Sequence, residues 1–347
     1  MYLLEIGFVH STADPCLYML NAGEVIFLVY VDDILFTETD EDQVSATIEQ
    51  LKERFHTVDL RDARFLEGMA IGRNVDAGTI LRTQEAYAKA VLDKFVLADE
   101  RPAKTPAMPG PICIEEEEIL SPEDTTFFRS ATGSLLYLIR GTRPDITHSV
   151  MVLAKSMSEP GPRVITKLKR VLRCLKGTVS IGSTYSKDDD DGDKLTAYVD
   201  SDHVGDEDKG YSTTGIVLHF SGGPVDWRST KQQVVATSTV EAEYVAMSKA
   251  CLMVLHFRNL LESMNETQEQ ATVMFEDNSG AVSLSRSAKI APRTKNIDVK
   301  FHHVRSLVAD GVVDVTYIKT ELERVDILTK SSADVKFLNN RLRLLGV

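Results

Sequence analysis

The chain has 347 residues, of which 43% are hydrophobic, and a formal net charge of −13. This length is enough for two or three domains, and the composition is that of a globular protein. No apolar run approaches the roughly 20 residues that cross a bilayer, and the first residues lack the pattern of a secretory signal. The four cysteines are widely spaced, which favours a reducing compartment. We therefore expect a protein of the cytoplasm or nucleus that is not secreted and has no membrane partner.

The first hundred residues predict a small α+β unit that carries a pair of acids. Residues 25–36 have the pattern of two strands joined by a turn, interrupted by Asp32 and Asp33. Residues 42–55 have helical spacing, and residues 86–95 predict a second helix after a further hairpin. The two acids therefore lie on a predicted hairpin between apolar strands.

The middle of the chain predicts a linker followed by helices. Prolines and an acidic run at residues 115–118 interrupt regular structure, and residues 123–178 read as mostly helical. Within residues 163–176, which contain no acid, the basic side chains include Lys169, Arg170, Arg173 and Lys176. A solvated helix face and a surface that follows phosphates both fit this pattern, and the second would give binding that weakens steeply with salt.

Four acids stand out in the last part of the chain, where strands and helices alternate. Asp200 and Asp277 each follow a short apolar run, so we expect both at strand ends. Glu243 and Asp326 lie in helical patterns. Two Mg²⁺ ions about 4 Å apart need carboxylates brought together from distant parts of a chain. This order of strand and helix acids suits such a centre.

Several motifs resemble the polyproteins of Ty1/copia-type retrotransposons. The ribonuclease H domain of that family is resembled by AYVDSDHVGD (197–206), STVEAEYVAM (238–247), EDNSGAV (276–282) and VDILTK (325–330). YVDDILF (30–36) resembles the catalytic hairpin of the family's reverse transcriptase, and GSLLYLIRGTRPDI (133–146) resembles the segment that joins the two activities. By these motifs the chain is identified as a fragment with the end of the reverse transcriptase, the connection segment and the ribonuclease H domain.

The resemblance implies an α/β and α+β fold. A truncated reverse-transcriptase palm would be followed by a connection segment and a ribonuclease H-like mixed β-sheet flanked by helices. The expected segments are a partial palm at 1–100, a linker and helical connection at 101–187, a ribonuclease H-like domain at 193–333 and a C-terminal tail helix at 334–347.

The resemblance also implies the chemistry. Asp200, Glu243, Asp277 and Asp326 would hold two Mg²⁺ ions, with Mn²⁺ as a substitute, and hydrolyse the RNA strand of an RNA/DNA hybrid. Glu241 is the alternative to Glu243, because the two glutamates point to different sides of a helix. The family pattern favours Glu243. The segment before Asp326 contains no histidine, so we expect no general base there.

Asp32 and Asp33 resemble a polymerase remnant, and we do not expect reverse-transcriptase activity from this chain alone. Nucleotidyl transfer needs a further aspartate from an earlier strand, which we expect to be missing. A full-length polymerase of the same element is a candidate partner. The main alternative is an inactive remnant that at most binds nucleic acid. An integrase is a weaker alternative, because a His/Cys zinc module is absent.

Overall fold

The computed structural model describes residues 2–20, 25–38, 41–95, 100–108, 120–188, 192–206, 210–287 and 295–347. The acidic run at 115–118 lies outside these residues. The chain divides into two units, the first formed by residues 1–67 and 253–270 and the second by residues 68–252 and 271–347. The predicted connection segment and tail helix fall in the second unit, whereas residues 253–270 of the predicted ribonuclease H-like segment belong to the first.

The first unit contains an antiparallel sheet covered by a helix. The sheet has the order β1-β2-β3-β4, and its core includes Phe8, Tyr18 and Phe27, against which α2 packs Val44 and Leu51. The elements are α1 (Tyr2–Glu5), β1 (Val9–His10), β2 (Leu17–Leu20), β3 (Val25–Tyr30), β4 (Asp33–Glu38), α2 (Glu41–Arg54) and β5 (Phe65–Leu66). The predicted hairpin at 25–36 and the predicted helix at 42–55 are confirmed as β3–β4 and α2.

The second unit begins with a hairpin and a group of helices. Strand β7 pairs with β6 and with β8. The elements are β6 (Met69–Asn74), β7 (Thr79–Thr83), α3 (Glu85–Phe95), α4 (Pro122–Gly141), a 3₁₀ turn (Pro144–Ile146), α5 (Thr147–Lys155), α6 (Pro162–Lys176) and β8 (Ser183–Ser186). The Ser121 side chain accepts a hydrogen bond from the Asp124 backbone and caps α4. Leu135, Leu138 and Leu168 lie in the core between these helices.

A five-stranded mixed sheet follows, with the order β11-β10-β9-β12-β13. Strands β9, β10 and β11 are antiparallel, whereas β12 is parallel to both β9 and β13. The elements are β9 (Thr196–Asp206), β10 (Tyr211–Phe220), β11 (Gly223–Lys231), α7 (Thr239–Ser263), β12 (Thr272–Glu276), α8 (Ser279–Ser285), α9 (Lys295–Ala309), β13 (Val313–Tyr317), α10 (Asp326–Thr329) and α11 (Asp334–Leu345). The predicted mixed α/β fold class is confirmed.

Helices pack against the sheet, and the single tryptophan marks one such contact. Trp227 of β11 is 9% exposed, and its indole Nε1 donates a hydrogen bond to the Ile139 carbonyl at 2.7 Å. The tryptophan therefore reports on the packing of the second unit. Across the described residues, no helix is both long and apolar enough to span a bilayer.

Candidate metal centre

Three carboxylates from distant parts of the chain meet in the second unit. One oxygen from each of Asp200, Glu243 and Asp277 lies within 4.8 Å of the other two. Asp200 belongs to β9, Glu243 to α7, and Asp277 follows the last residue of β12. Because β9 and β12 are parallel neighbours, they carry their acids to the same edge of the sheet. The structure thus brings together three of the four predicted acids.

The expectation that Asp200 ends its strand is wrong. Strand β9 continues to Asp206, because its polar half pairs with β10, with Ser201 opposite Thr214 and Asp202 opposite Thr213. Asp200 itself is paired with Gly215. Ladder hydrogen bonds can extend a strand past the point where its apolar pattern stops. Asp277 does follow its strand directly, as predicted.

The two glutamates at the start of α7 have different surroundings. Glu241 accepts hydrogen bonds from the backbone N–H of Thr237 at 2.8 Å and from its hydroxyl at 2.6 Å. The Glu241 N–H in turn donates to the Ser238 hydroxyl, so this glutamate closes the helix N-terminus in the manner of a capping box. Glu243 lies in the carboxylate group. The structure therefore gives Glu241 a capping contact and places Glu243 where a cation could bind.

The electrostatics of the group indicate a shortage of positive charge. Burial raises the pKa of Glu243, and the neighbouring carboxylates of Glu276 and Asp200 raise it further. Burial also raises the pKa of Asp200, to about 6, against the opposing effect of Lys330. The Glu243 Oε2 atom is buried and has no hydrogen-bond partner. A bound cation would satisfy this oxygen, so the three side chains fit a hard divalent ion with oxygen ligands.

Asp326 is close to this group but is paired with lysines. Its Oδ1 lies 2.7 Å from Lys330 Nζ, and its Oδ2 forms an ion pair with Lys336. Lys330 Nζ also lies 3.9 Å from Asp200 Oδ2. The Thr329 hydroxyl donates to the same Asp200 oxygen. Asp326 is thus joined to Asp200 through Lys330 and the short helix α10, and it is not a member of the three-carboxylate group.

Two further buried glutamates lie near the site. Glu276 and Glu323 are both fully buried, and burial raises the pKa of each well above its ordinary value. Glu276 Oε1 accepts a hydrogen bond from the Asn278 N–H at 3.0 Å. Neither glutamate was predicted from the sequence. Glu276 could have been predicted, because it directly precedes Asp277 in the same motif. No local sequence pattern indicates Glu323.

Comparison with known proteins identifies the family. Residues 1–109 match the family described as "Reverse transcriptase (RNA-dependent DNA polymerase)". Over 95% of its length the chain is 32% identical to the retrovirus-related Pol polyprotein from transposon TNT 1-94 of Nicotiana tabacum. Over 97% of its length it is 34% identical to the corresponding polyprotein from transposon RE1 of Arabidopsis thaliana. The chain belongs to the Ty1/copia-type retrotransposon polyproteins.

The chain spans about a quarter of the length of these polyproteins, 25% of the first and 23% of the second. Among solved structures, it is similar to a foamy viral protease-reverse transcriptase in complex with an RNA/DNA hybrid. That likeness covers 85% of this chain and 36% of the other, with 16% identity and a TM-score of 0.47.

Two of the predicted acids, within the residues that match the reverse-transcriptase family, lie on an exposed hairpin tip. Asp32 belongs to the turn between β3 and β4, and Asp33 is the first residue of β4, paired with Tyr30. Val31 has a φ of 52°, which is unusual for a β-branched residue. Within the described parts of the chain, neither aspartate belongs to a group of three metal-binding side chains.

The basic face of α6 is partly engaged by the chain itself. Arg173 donates to the Arg101 carbonyl at 2.6 Å, and Lys176 donates to the Glu100 carbonyl at 2.9 Å. Arg170 donates to the Thr105 hydroxyl at 2.8 Å. Lys169 is exposed. Three of the four predicted nucleic-acid-binding residues therefore hold the segment at residues 100–105, a contact that the helical periodicity did not predict.

Proposed function

We propose that this chain is a divalent-metal-dependent ribonuclease H, which hydrolyses the RNA strand of RNA/DNA hybrids, attached to an incomplete reverse transcriptase. The observation that supports this proposal is the meeting of Asp200, Glu243 and Asp277, with an unsatisfied oxygen on Glu243. Three carboxylates that meet at one point, with Asp200 and Glu243 buried and Asp277 half-buried, are costly in a metal-free protein, since like charges oppose one another. A cation bound by these carboxylates would offset this repulsion.

The chain's own residues would bind and orient the cation. Asp200, Glu243 and Asp277 would each offer a carboxylate oxygen, the ligand type that Mg²⁺ prefers and that Mn²⁺ also accepts. In that site a divalent cation would help to form a hydroxide nucleophile at neutral pH and to stabilise the leaving 3′ oxygen. The Thr329 hydroxyl orients Asp200 through its hydrogen bond. The two-ion arrangement expected from the sequence requires Asp326 to exchange its lysine partners for a cation.

The family and the chemistry both support the proposed substrate class. A ribonuclease H selects RNA, because the 2′-OH distinguishes RNA from DNA at a given site. Lys169 is the exposed one of the four predicted nucleic-acid-binding residues and would contact backbone phosphate. We also propose that a full-length polymerase of the same element supplies polymerase activity, and that the chain acts in the cytoplasm or nucleus.

Cleavage of an end-labelled RNA/DNA hybrid in Mg²⁺ tests the proposal. Wild-type protein should cut the RNA strand, and Asp200→Asn should lose this activity. Asp314→Asn is the matched control, because Asp314 lies on β13 of the same sheet and its side chain is 50% exposed, in an ion pair with Arg286. Full loss in the control would show that the variants act through the fold rather than the site.

A second candidate function is a non-catalytic remnant that binds nucleic acid. The observation that favours it is the pairing of Asp326 with both Lys330 and Lys336. The same assay separates the two candidates. Hybrid binding by folded wild-type protein without any RNA cleavage in Mg²⁺ or Mn²⁺ would refute the nuclease and support the remnant.

A further inference from the structure

One lysine lies between two of the buried acids of the candidate metal centre. Lys330 Nζ is 2.7 Å from Asp326 Oδ1 and 3.9 Å from Asp200 Oδ2. Asp326 is fully buried and Asp200 is 3% exposed. Two buried carboxylates that share one neighbourhood need compensating positive charge. Lys330 provides that charge from within the chain.

We infer that the Lys330 ammonium takes the place of a second divalent cation between Asp200 and Asp326, so that the site binds a single divalent ion at Asp200, Glu243 and Asp277. This inference rests on the proposed function and specifies how many ions that function uses. Lys330 is a charge-compensating residue here, and the three-carboxylate group remains the cation site.

The local chain geometry keeps Lys330 in this position. Asp326 is the first residue of α10, and Lys330 directly follows the last residue of this helix in an extended conformation, where its backbone N–H donates to the Asp326 carbonyl and its ammonium reaches the Asp326 carboxylate. A lysine ammonium ordinarily carries its positive charge at neutral pH.

The same arrangement disfavours a second ion. A Mg²⁺ ion shared by Asp200 and Asp326 would stand close to the Lys330 ammonium, whose side chain is 40% exposed, and the two positive charges would repel each other. It would also compete for Asp326 Oδ2 with Lys336. The three-carboxylate group carries no such cation contact on Glu243, whose Oε2 is unpartnered. The three-carboxylate group is therefore the favoured cation site, and Lys330 supplies the positive charge between Asp200 and Asp326.

Mn²⁺ binding to the full chain, without nucleic acid, tests the inference. Electron paramagnetic resonance of free Mn²⁺ gives the number of bound ions directly. Wild-type protein should bind one ion, and Lys330→Met should bind two. Methionine is uncharged and only slightly shorter than lysine. Lys336→Met is the matched control. Lys336 pairs with Asp326 but is not among the ion-pair partners of Asp200, so this variant should still bind one ion.

Two Mn²⁺ ions on wild-type protein, with one lost in Asp326→Asn, would overturn the inference. A single ion on a folded Lys330→Met protein would overturn it as well. Neither result contradicts the proposed function if wild-type protein still cleaves the hybrid. Failure of the proposed function looks different, because wild-type protein would then bind no Mn²⁺ through Asp200 and would cut no RNA.

Discussion

Arg341, on the last helix, forms an ion pair with Asp145, in the 3₁₀ turn between α4 and α5. Arg341 Nε lies 3.2 Å from Asp145 Oδ2, and the two side chains are 5% and 0% exposed. Arg143 pairs with the same carboxylate at 2.8 Å and donates to the Thr178 carbonyl at 2.9 Å. Helix α11 is therefore anchored in the core of the second unit by a buried charge network.

Breaking this network should destabilise the second unit. Removal of one partner of a buried ion pair leaves an uncompensated charge, which typically costs about 3–5 kcal/mol. We expect Asp145→Asn to lower the free energy of unfolding by about this amount, as measured by urea unfolding followed by Trp227 fluorescence. Arg343→Leu is the control, since Arg343 loses only an exposed hydrogen bond to the Glu321 carbonyl. Equal effects of the two variants would contradict the buried network.

Stability should fall as the pH is lowered below about 6.5, because of buried histidines. Burial, with repulsion from Lys155, lowers the pKa of His148 to about 4, and burial with Arg324 lowers that of His219 to about 3. The unfolded chain binds protons on these side chains from about pH 6.5 downward, whereas the folded chain does not until its lower pKa values. The stability present above pH 6.5 is therefore lost progressively toward pH 4.

The expected slope from each histidine is about 1.4 kcal/mol per pH unit in the fully developed range. His148→Gln should remove the contribution of one histidine to the slope of the unfolding free energy against pH. Urea unfolding curves at several pH values measure this slope. His302→Gln is the control, because His302 is exposed. An unchanged slope in His148→Gln would show that this imidazole does not remain neutral in the fold.

Gly215 should be needed to position α10 at the metal centre. A Cβ atom on Gly215 would stand 2.6 Å from Thr329 Cγ2 and 3.1 Å from Leu328 Cβ. Gly215→Ala should push α10 from the sheet, separate Thr329 from Asp200, and cost about 1–3 kcal/mol of stability. Hybrid cleavage should fall at least about tenfold, the effect of roughly 1.4 kcal/mol on a barrier.

Cleavage rate and thermal unfolding of Gly215→Ala measure these two effects. Gly133→Ala is a matched glycine control on α4, where an added Cβ meets nothing within 4 Å. That variant should be neutral or stabilised by up to about 1 kcal/mol. Full activity of Gly215→Ala would argue against a positioning role for α10.

Neutralising Glu243 should stabilise the protein without metal and remove its response to metal. Glu243→Gln relieves repulsion among buried carboxylates, so we expect a gain of about 1–2 kcal/mol in a chelator. Added Mg²⁺ should raise the melting temperature of wild-type protein but not that of the variant. Glu241→Gln is the control next to it. Since Glu241 caps α7 through Thr237, its loss should cost about 1 kcal/mol with or without Mg²⁺.

If the α6 face binds hybrid, affinity should drop steeply with salt. Lys169→Gln should weaken binding about equally for all sequences and reduce the slope of log K against log salt by about one. Anisotropy of a labelled hybrid at low and moderate salt measures this. Lys52→Gln is the control, because it removes the charge of an exposed lysine on α2 and should leave the slope unchanged. An affinity that does not change with salt would remove the proposed phosphate contact.

Local sequence patterns were sufficient for several elements and for the acids themselves. The β3–β4 hairpin and helix α2 follow from the spacing of apolar residues, which depends only on the period of each element. The family motifs marked Asp200, Glu243 and Asp277, and the structure brings these three together. Glu241 and Glu243 were open alternatives, because both lie in one short helical pattern.

Contacts between distant residues decided the rest, since no local period encodes them. Pairing with β10 extends β9 beyond Asp200, and hydrogen bonds to residues 100–105 occupy most of the α6 basic face. Lys336 reaches Asp326 from the next helix, and Glu323 is buried by packing rather than by pattern. From the sequence we predicted four acids as cation ligands. The pairing of one of them with lysines follows only from the folded structure, because charge compensation in a buried site depends on which side chains packing brings within a few ångströms.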